Sequence, residues 1–137
     1  MIVGTEWLIE AVGCDAARLR DASVLRGVMD EIIAELSLTT LGSVWHTFEG
    51  EGGVTGLIAL TESHLACHTY PEFGTATFNL YCCRRRPEWD WQLKLSRALG
   101  AAEVSVRRIE RGSNIDRPVP DTSGRSLEAE LARGGVS

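Results

Sequence analysis

Thr75-Ala76-Thr77-Phe78-Asn79-Leu80-Tyr81-Cys82-Cys83 alternates without a break. In an extended chain Ala76, Phe78, Leu80 and Cys82 share one side, and Thr77, Asn79, Tyr81 and Cys83 share the other. That period predicts a strand with one apolar and one more polar face. Arg84-Arg85-Arg86-Pro87 ends it. Upstream, Pro71 and Gly74 punctuate a turn, and 61–70 reads as polar and irregular although strands flank it. Residues 54–60 form a strand and 40–48 another. Glu49-Gly50-Glu51-Gly52-Gly53 joins them as a hairpin, because glycines adopt positive φ cheaply. Farther upstream, Val24, Leu25, Val28, Met29, Ile32, Ile33 and Leu36 recur at helical spacing. They predict a helix over 24–36, capped by Asp21 or Ser23, with Asp30, Glu31 and Glu35 off the apolar stripe. Residues 5–12 read as the first strand, ending at Gly13. Downstream, 89–99 reads as a second helix closed by Gly100, and 104–109 as the last strand.

The order β-α-β-β-β-α-β predicts an α+β fold: a two-layer α/β sandwich, an antiparallel sheet with two helices on one face. The other face is left bare, which predicts a homodimer. One domain spans 1–112, and the polar 113–137, rich in Gly, Pro and Arg, reads as a mobile tail.

At 137 residues, 44% hydrophobic and 24% charged, the chain suits one folded domain. Nineteen acidic against 14 basic residues give a net charge of −5, which argues against nucleic acid as a partner. No apolar run approaches the roughly 20 residues of a membrane span. Met1-Ile2-Val3-Gly4-Thr5-Glu6 lacks the basic start of a signal peptide. Cys14, Cys67, Cys82 and Cys83 read as free thiols in a reducing cytoplasm.

The chemistry concentrates in Thr61-Glu62-Ser63-His64-Leu65-Ala66-Cys67-His68-Thr69-Tyr70-Pro71-Glu72. A metal site of His64, His68, Cys67 and the Cys82-Cys83 pair is disfavoured. There is no C-x-x-C spacing, and adjacent cysteines rarely both reach one tetrahedral ion. Nucleophilic catalysis by Ser63 or a cysteine with a nearby histidine is a second reading, without a G-x-S-x-G elbow to support it. Taken singly, each of these residues also reads as an ordinary polar group at a strand end.

Glu62-Ser63-His64-Leu65, followed by His68-Thr69-Tyr70-Pro71-Glu72 and Gly74, closely resembles the short prokaryotic S-adenosylmethionine decarboxylases. Asn79-Leu80-Tyr81-Cys82-Cys83 fits the strand carrying that family's catalytic cysteine, and Gly53-Val54-Thr55-Gly56 the strand leading to its cleavage site. Gly13-Cys14-Asp15 and Glu110-Arg111-Gly112 match weaker landmarks, so the resemblance covers about 4–112.

The resemblance implies a pyruvoyl-dependent enzyme that cuts itself between Glu62 and Ser63. The Ser63 hydroxyl attacks the Glu62 carbonyl, β-elimination releases the Glu62 carboxylate, and hydrolysis leaves a pyruvoyl group at position 63. A β chain (1–62) and an α chain (63–137) stay together. That group forms a Schiff base with the substrate amine and accepts the electrons left by CO₂. His68 and Thr55 assist processing, and Cys83 donates the proton. The family usually has serine at the position of Thr55, and the added methyl restricts χ1. Cys82, Cys67 and Cys14 read as small buried hydrophobes.

For substrate, Phe48 and Tyr70 offer aromatic faces to a sulfonium and an adenine, though core packing is the plainer use of such rings. Leu65 lines the adenine pocket, and Glu72 accepts the ribose hydroxyls. His64 shapes the loop after the cleavage point. Gly4-Thr5-Glu6-Trp7 departs from the family, which often has a basic residue and a histidine there, and Tyr70 stands where tryptophan is common. Arginine or ornithine is therefore the alternative substrate, with Glu6 or Glu72 receiving its cation. With S-adenosylmethionine the product feeds spermidine synthesis. A non-maturing structural or regulatory homologue is the non-enzyme alternative.

Overall fold

The computed structural model describes residues 1–112, and the tail expected over 113–137 lies outside the described residues. Strand β1 (Ile2–Val12) buries Trp7, Ile9 and Ala11 and turns Glu6, Leu8 and Glu10 the other way. Asp15 and Asp21 then start two helices, α1 (Ala16–Leu19) and α2 (Ala22–Glu35). Each carboxylate accepts a backbone N–H two residues on, at 2.9 Å, which satisfies a donor the helix leaves open. Helix α2 lays Leu25, Val28, Met29 and Ile32 into the core.

β2 (Thr40–Thr47), β3 (Val54–Leu60), β4 (Ser63–Tyr70) and β5 (Thr75–Cys82) follow, with a 3-10 turn at Pro71–Phe73 before β5. Asp90 caps α3 (Trp91–Leu99), and Gly100, at φ 69, closes it in the left-handed conformation glycine tolerates. β6 (Glu103–Gly112) ends the described chain. The sheet order is β2-β3-β4-β5-β1-β6, every neighbour antiparallel.

The expected α+β sandwich is present. The alternating residues Val54, Ile58 and Leu60 of β3, Leu65 and Cys67 of β4, and Phe78 and Leu80 of β5 join the helices in one core. Thr55 and Leu57, Ala66 and His68, and Thr77 and Asn79 point to the opposite face, which no helix among the described residues covers.

Three expectations need correction. The stretch 61–70 is not irregular: it supplies β4, paired on both sides, so the sheet has six strands among the described residues. Thr69 hid it by being polar yet buried: its hydroxyl accepts Val54 N–H (2.8 Å) and donates to the Leu19 carbonyl (2.7 Å). A third helix, α1, precedes the two expected ones. The first and last strands of the chain also run farther, β1 from Ile2 and β6 to Gly112, because they pair with each other along their length. Among the described residues no helix is long and apolar enough to cross a membrane.

Candidate active site

Leu60 pairs with Ser63, which leaves Thr61 and Glu62 as a two-residue turn between β3 and β4. Ser63 has φ 139. A side chain there is crowded by its own backbone, and such residues carry strain of about 1–3 kcal/mol. Strand alternation would put the Ser63 side chain beside Leu65 and Cys67 in the core. Instead its hydroxyl lies 3.0 Å from Cys83 Sγ. Cys83 follows the buried Cys82 and is exposed, as alternation requires. The Cys83 N–H donates to the Glu62 carbonyl oxygen at 2.8 Å. One residue thus touches both a hydroxyl and the adjacent carbonyl. On the turn's other side, Arg86 reaches the nearly buried Glu62 carboxylate at 2.7 Å.

A second cluster forms at the other end of the same hairpin. Thr55 pairs with His68, and their side chains meet at 3.1 Å between Oγ1 and Nδ1. Beside them opens a cleft of about 390 Å³, lined by Phe48, Tyr70, Glu72 and Glu49 as well as Thr55 and His68. Phe48 and Tyr70 are 54% and 41% exposed, so neither ring is spent on core packing. Five strand steps separate Ser63 from His68, so about 17 Å lies between the two clusters. Ser63 and Cys83 come together, and Thr55, His68, Phe48, Tyr70 and Glu72 come together, but the two groups do not meet within one chain. Leu65 joins neither. It is fully buried among core residues on the helix-covered side, so it does not line the cleft as expected.

Sequence reading missed a polar chain across the bare face. His64 Nε2 lies 2.6 Å from Asn79 Oδ1, Asn79 donates to Glu6 at 2.7 Å, and Arg111 donates to the other Glu6 oxygen at 2.7 Å. The Asn79 amide, then Arg111, hold the Glu6 carboxyl below its usual range against the opposing effect of burial. Glu6 already binds a guanidinium of its own chain, so it is not an open receptor for a basic substrate. These partners lie on β1, β4, β5 and β6, and no local spacing signals them. Arg86 was missed too, within an arginine run read only as the end of a strand. Burial pushes the Cys67 thiol up to about 12 and the Cys82 thiol up to about 11, and raises Cys14. Among the described residues, no three His, Cys, Asp or Glu side chains cluster as metal ligands would.

A family model described as S-adenosylmethionine decarboxylase matches residues 5–112. An S-adenosylmethionine decarboxylase proenzyme from Picrophilus torridus is 32% identical over 118 residues, covering 85% of this chain and 90% of that protein. A proenzyme of the same description from Prochlorococcus marinus is 36% identical over 112 residues, covering 80% and 88%. The crystal structure of the adenosylmethionine decarboxylase from Aquifex aeolicus superposes with a TM-score of 0.73 at 25% identity, covering 87% of this chain and 98% of that one.

Proposed function

The chain belongs to the S-adenosylmethionine decarboxylase family of pyruvoyl-dependent carboxy-lyases, and from that premise we propose that it cuts its own backbone between Glu62 and Ser63 and then decarboxylates S-adenosylmethionine. The observation that carries this reading is the double contact of Cys83, its Sγ on the Ser63 hydroxyl and its N–H on the Glu62 carbonyl oxygen. In the first step the Ser63 oxygen bonds to the Glu62 carbonyl carbon, and the C–N bond breaks to leave an ester and an amine. The Cys83 N–H stabilises the oxyanion that forms on the way, and the unusual φ of Ser63 relaxes as the peptide opens. Loss of the Ser63 α-proton then expels the Glu62 carboxylate. Water replaces the nitrogen at position 63, which leaves as ammonia.

The residues present fit a pyruvoyl group at position 63, which would stand beside Cys83 and would supply a carbonyl for the substrate amine and a sink for the electrons released with CO₂. Cys83, exposed and next to that position, delivers the proton to the substrate Cα. The acidic, aromatic cleft suits the rest of the substrate. Phe48 and Tyr70 face the sulfonium and adenine, and Glu72 accepts the ribose hydroxyls. The product feeds aminopropyl transfer in spermidine synthesis, and the free thiols suit a cytoplasmic setting.

The reactive end and the cleft end are about 17 Å apart, so the working unit is a homodimer. A second copy stacked on the bare face, about a two-fold axis lying between the sheets and across β4, reverses the strand direction. Each Ser63 then lies opposite the partner's His68 and Thr55, and each cleft opposite the partner's Cys83.

The test is direct. Purified native-sequence protein should run as fragments 1–62 and 63–137 on a denaturing gel, and Ser63→Ala as one intact chain. Cys83→Ala should still cut, at least in part, and turn over poorly. CO₂ release should come from S-adenosylmethionine and not from arginine or ornithine. An intact wild-type main chain would return the protein to the non-maturing alternative, and turnover of a basic amino acid alone would replace the substrate.

A further inference from the structure

We propose that Arg86 is a positioning residue for the backbone cut, clamping Glu62 so that its carbonyl stays in line for Ser63. The inference rests on the self-cleavage reading above. Glu62 occupies a two-residue turn, where side chains are normally solvated, yet it is 6% exposed. A glutamate is rarely this buried without a partner, and Arg86 is that partner at 2.7 Å. Arg84 and Arg85 beside it are exposed, so Arg86 alone of the run turns inward.

The pair is a poor source of stability. Among the described residues, Glu62 Oε2 and Arg86 Nε are both buried without hydrogen-bond partners, so the guanidinium fork engages Glu62 through one prong. Desolvating two charges for a single-pronged contact gains little net energy. What it does provide is geometry. The segment after β5 grips Glu62 at two points: the Cys83 N–H holds its carbonyl oxygen and Arg86 holds its side chain. With both ends fixed, the Glu62 carbonyl cannot rotate away from the Ser63 hydroxyl, and a misplacement of about 1 Å costs about a hundredfold in rate.

The experiment follows precursor conversion on gels for wild type, Arg86→Gln, Arg86→Lys, Glu62→Gln and the double variant Arg86→Gln/Glu62→Gln. Melting of the same changes in an uncleavable Ser63→Ala background reports folding separately, and rates are compared below the lowest melting point. Arg86→Gln should cut about tenfold more slowly or worse. Arg86→Lys should recover part of the rate, and the double variant should be no slower than the slower single one, since one contact is lost in all. Hydroxylamine, which splits an ester but not an amide, should not speed the cut in Arg86→Gln, because the clamp acts before the ester forms. Wild-type cutting by Arg86→Gln, or full rescue by hydroxylamine, overturns the proposal. Should Arg86→Gln not fold, Arg86→Lys decides, and a wild-type rate there overturns it equally. An uncut wild type is a failure of the self-cleavage reading instead.

Discussion

Ser63 and Cys83 are neighbours at one end of the sheet, and Cys83 differs from the other three cysteines in a way a thiol reagent can read. Cys83 stands just past the end of β5 and is exposed, whereas Cys82, one residue earlier, is fully buried. Burial takes Cys67 up to about 12 and Cys82 up to about 11, with Cys14 raised as well, so those three remain protonated and shielded at ordinary pH. Only the thiolate attacks a disulfide reagent. In Ser63→Ala protein, which stays one chain, a disulfide reagent at about pH 8 should find one fast thiol, with the other three reacting on unfolding. Cys83→Ala in the same background should lose the fast phase. A second fast thiol would mean that the core around Cys82 or Cys67 opens, and the sheet register at β5 would need revision.

At the scale of elements, Thr69 joins three of them. Its hydroxyl takes the Val54 N–H of β3 and gives its proton to the Leu19 carbonyl of α1, all within the core. Thr69→Val keeps the shape but orphans both backbone groups, which should cost about 2–4 kcal/mol. Thr69→Ser keeps both bonds and should cost about 1 kcal/mol for the lost methyl. Urea unfolding of the single-chain Ser63→Ala form measures both, and equal losses would show that the hydroxyl is not what matters. This residue also explains where sequence reading stopped. Helices α2 and α3 and the strands other than β4 were legible, since an apolar period or a turn signal marks each. β4 does alternate, Leu65, Cys67 and Thr69 inward against Ala66, His68 and Tyr70 outward. A small residue outside and a buried hydroxyl inside blur that contrast, so its polarity dominates the impression. Helix α1 has four residues, too few to display a period, and only its Asp15 cap announces it. The candidate site residues were legible as a list, through the Glu62-Ser63-His64-Leu65 and His68-Thr69-Tyr70-Pro71-Glu72 runs. Their separation was not, because nearness in sequence hid the length of an extended strand.

For the whole molecule, that separation is the central constraint. One end of the sheet holds a hydroxyl, a carbonyl and a thiol in contact, and the other holds a histidine and an acidic, aromatic cleft. The bare face between them exposes Leu57 and Val44, which pair across β2 and β3, and such apolar surface favours a second copy. If two copies stack in opposite strand direction, neither cluster works alone and each chain completes the other. Two crippled chains can then repair one another. His68→Ala and Ser63→Ala chains, co-expressed with different tags and purified as the mixed species, place an intact Ser63 opposite an intact His68 at one of the two sites. The His68→Ala chain should therefore be cut in the mixture though it is cut slowly or not at all by itself, and the Ser63→Ala chain should stay whole. Activity per mixed dimer should approach about half that of wild type, since the other site lacks both residues. A site assembled within one chain predicts the opposite: His68→Ala stays uncut whatever its partner carries, and mixing adds nothing. Sedimentation of the separate variants settles whether failure to complement reflects failure to pair. Dimers that form and do not complement would mean that His68 reaches Ser63 by moving within its own chain, against the roughly 17 Å of paired strand that holds them apart.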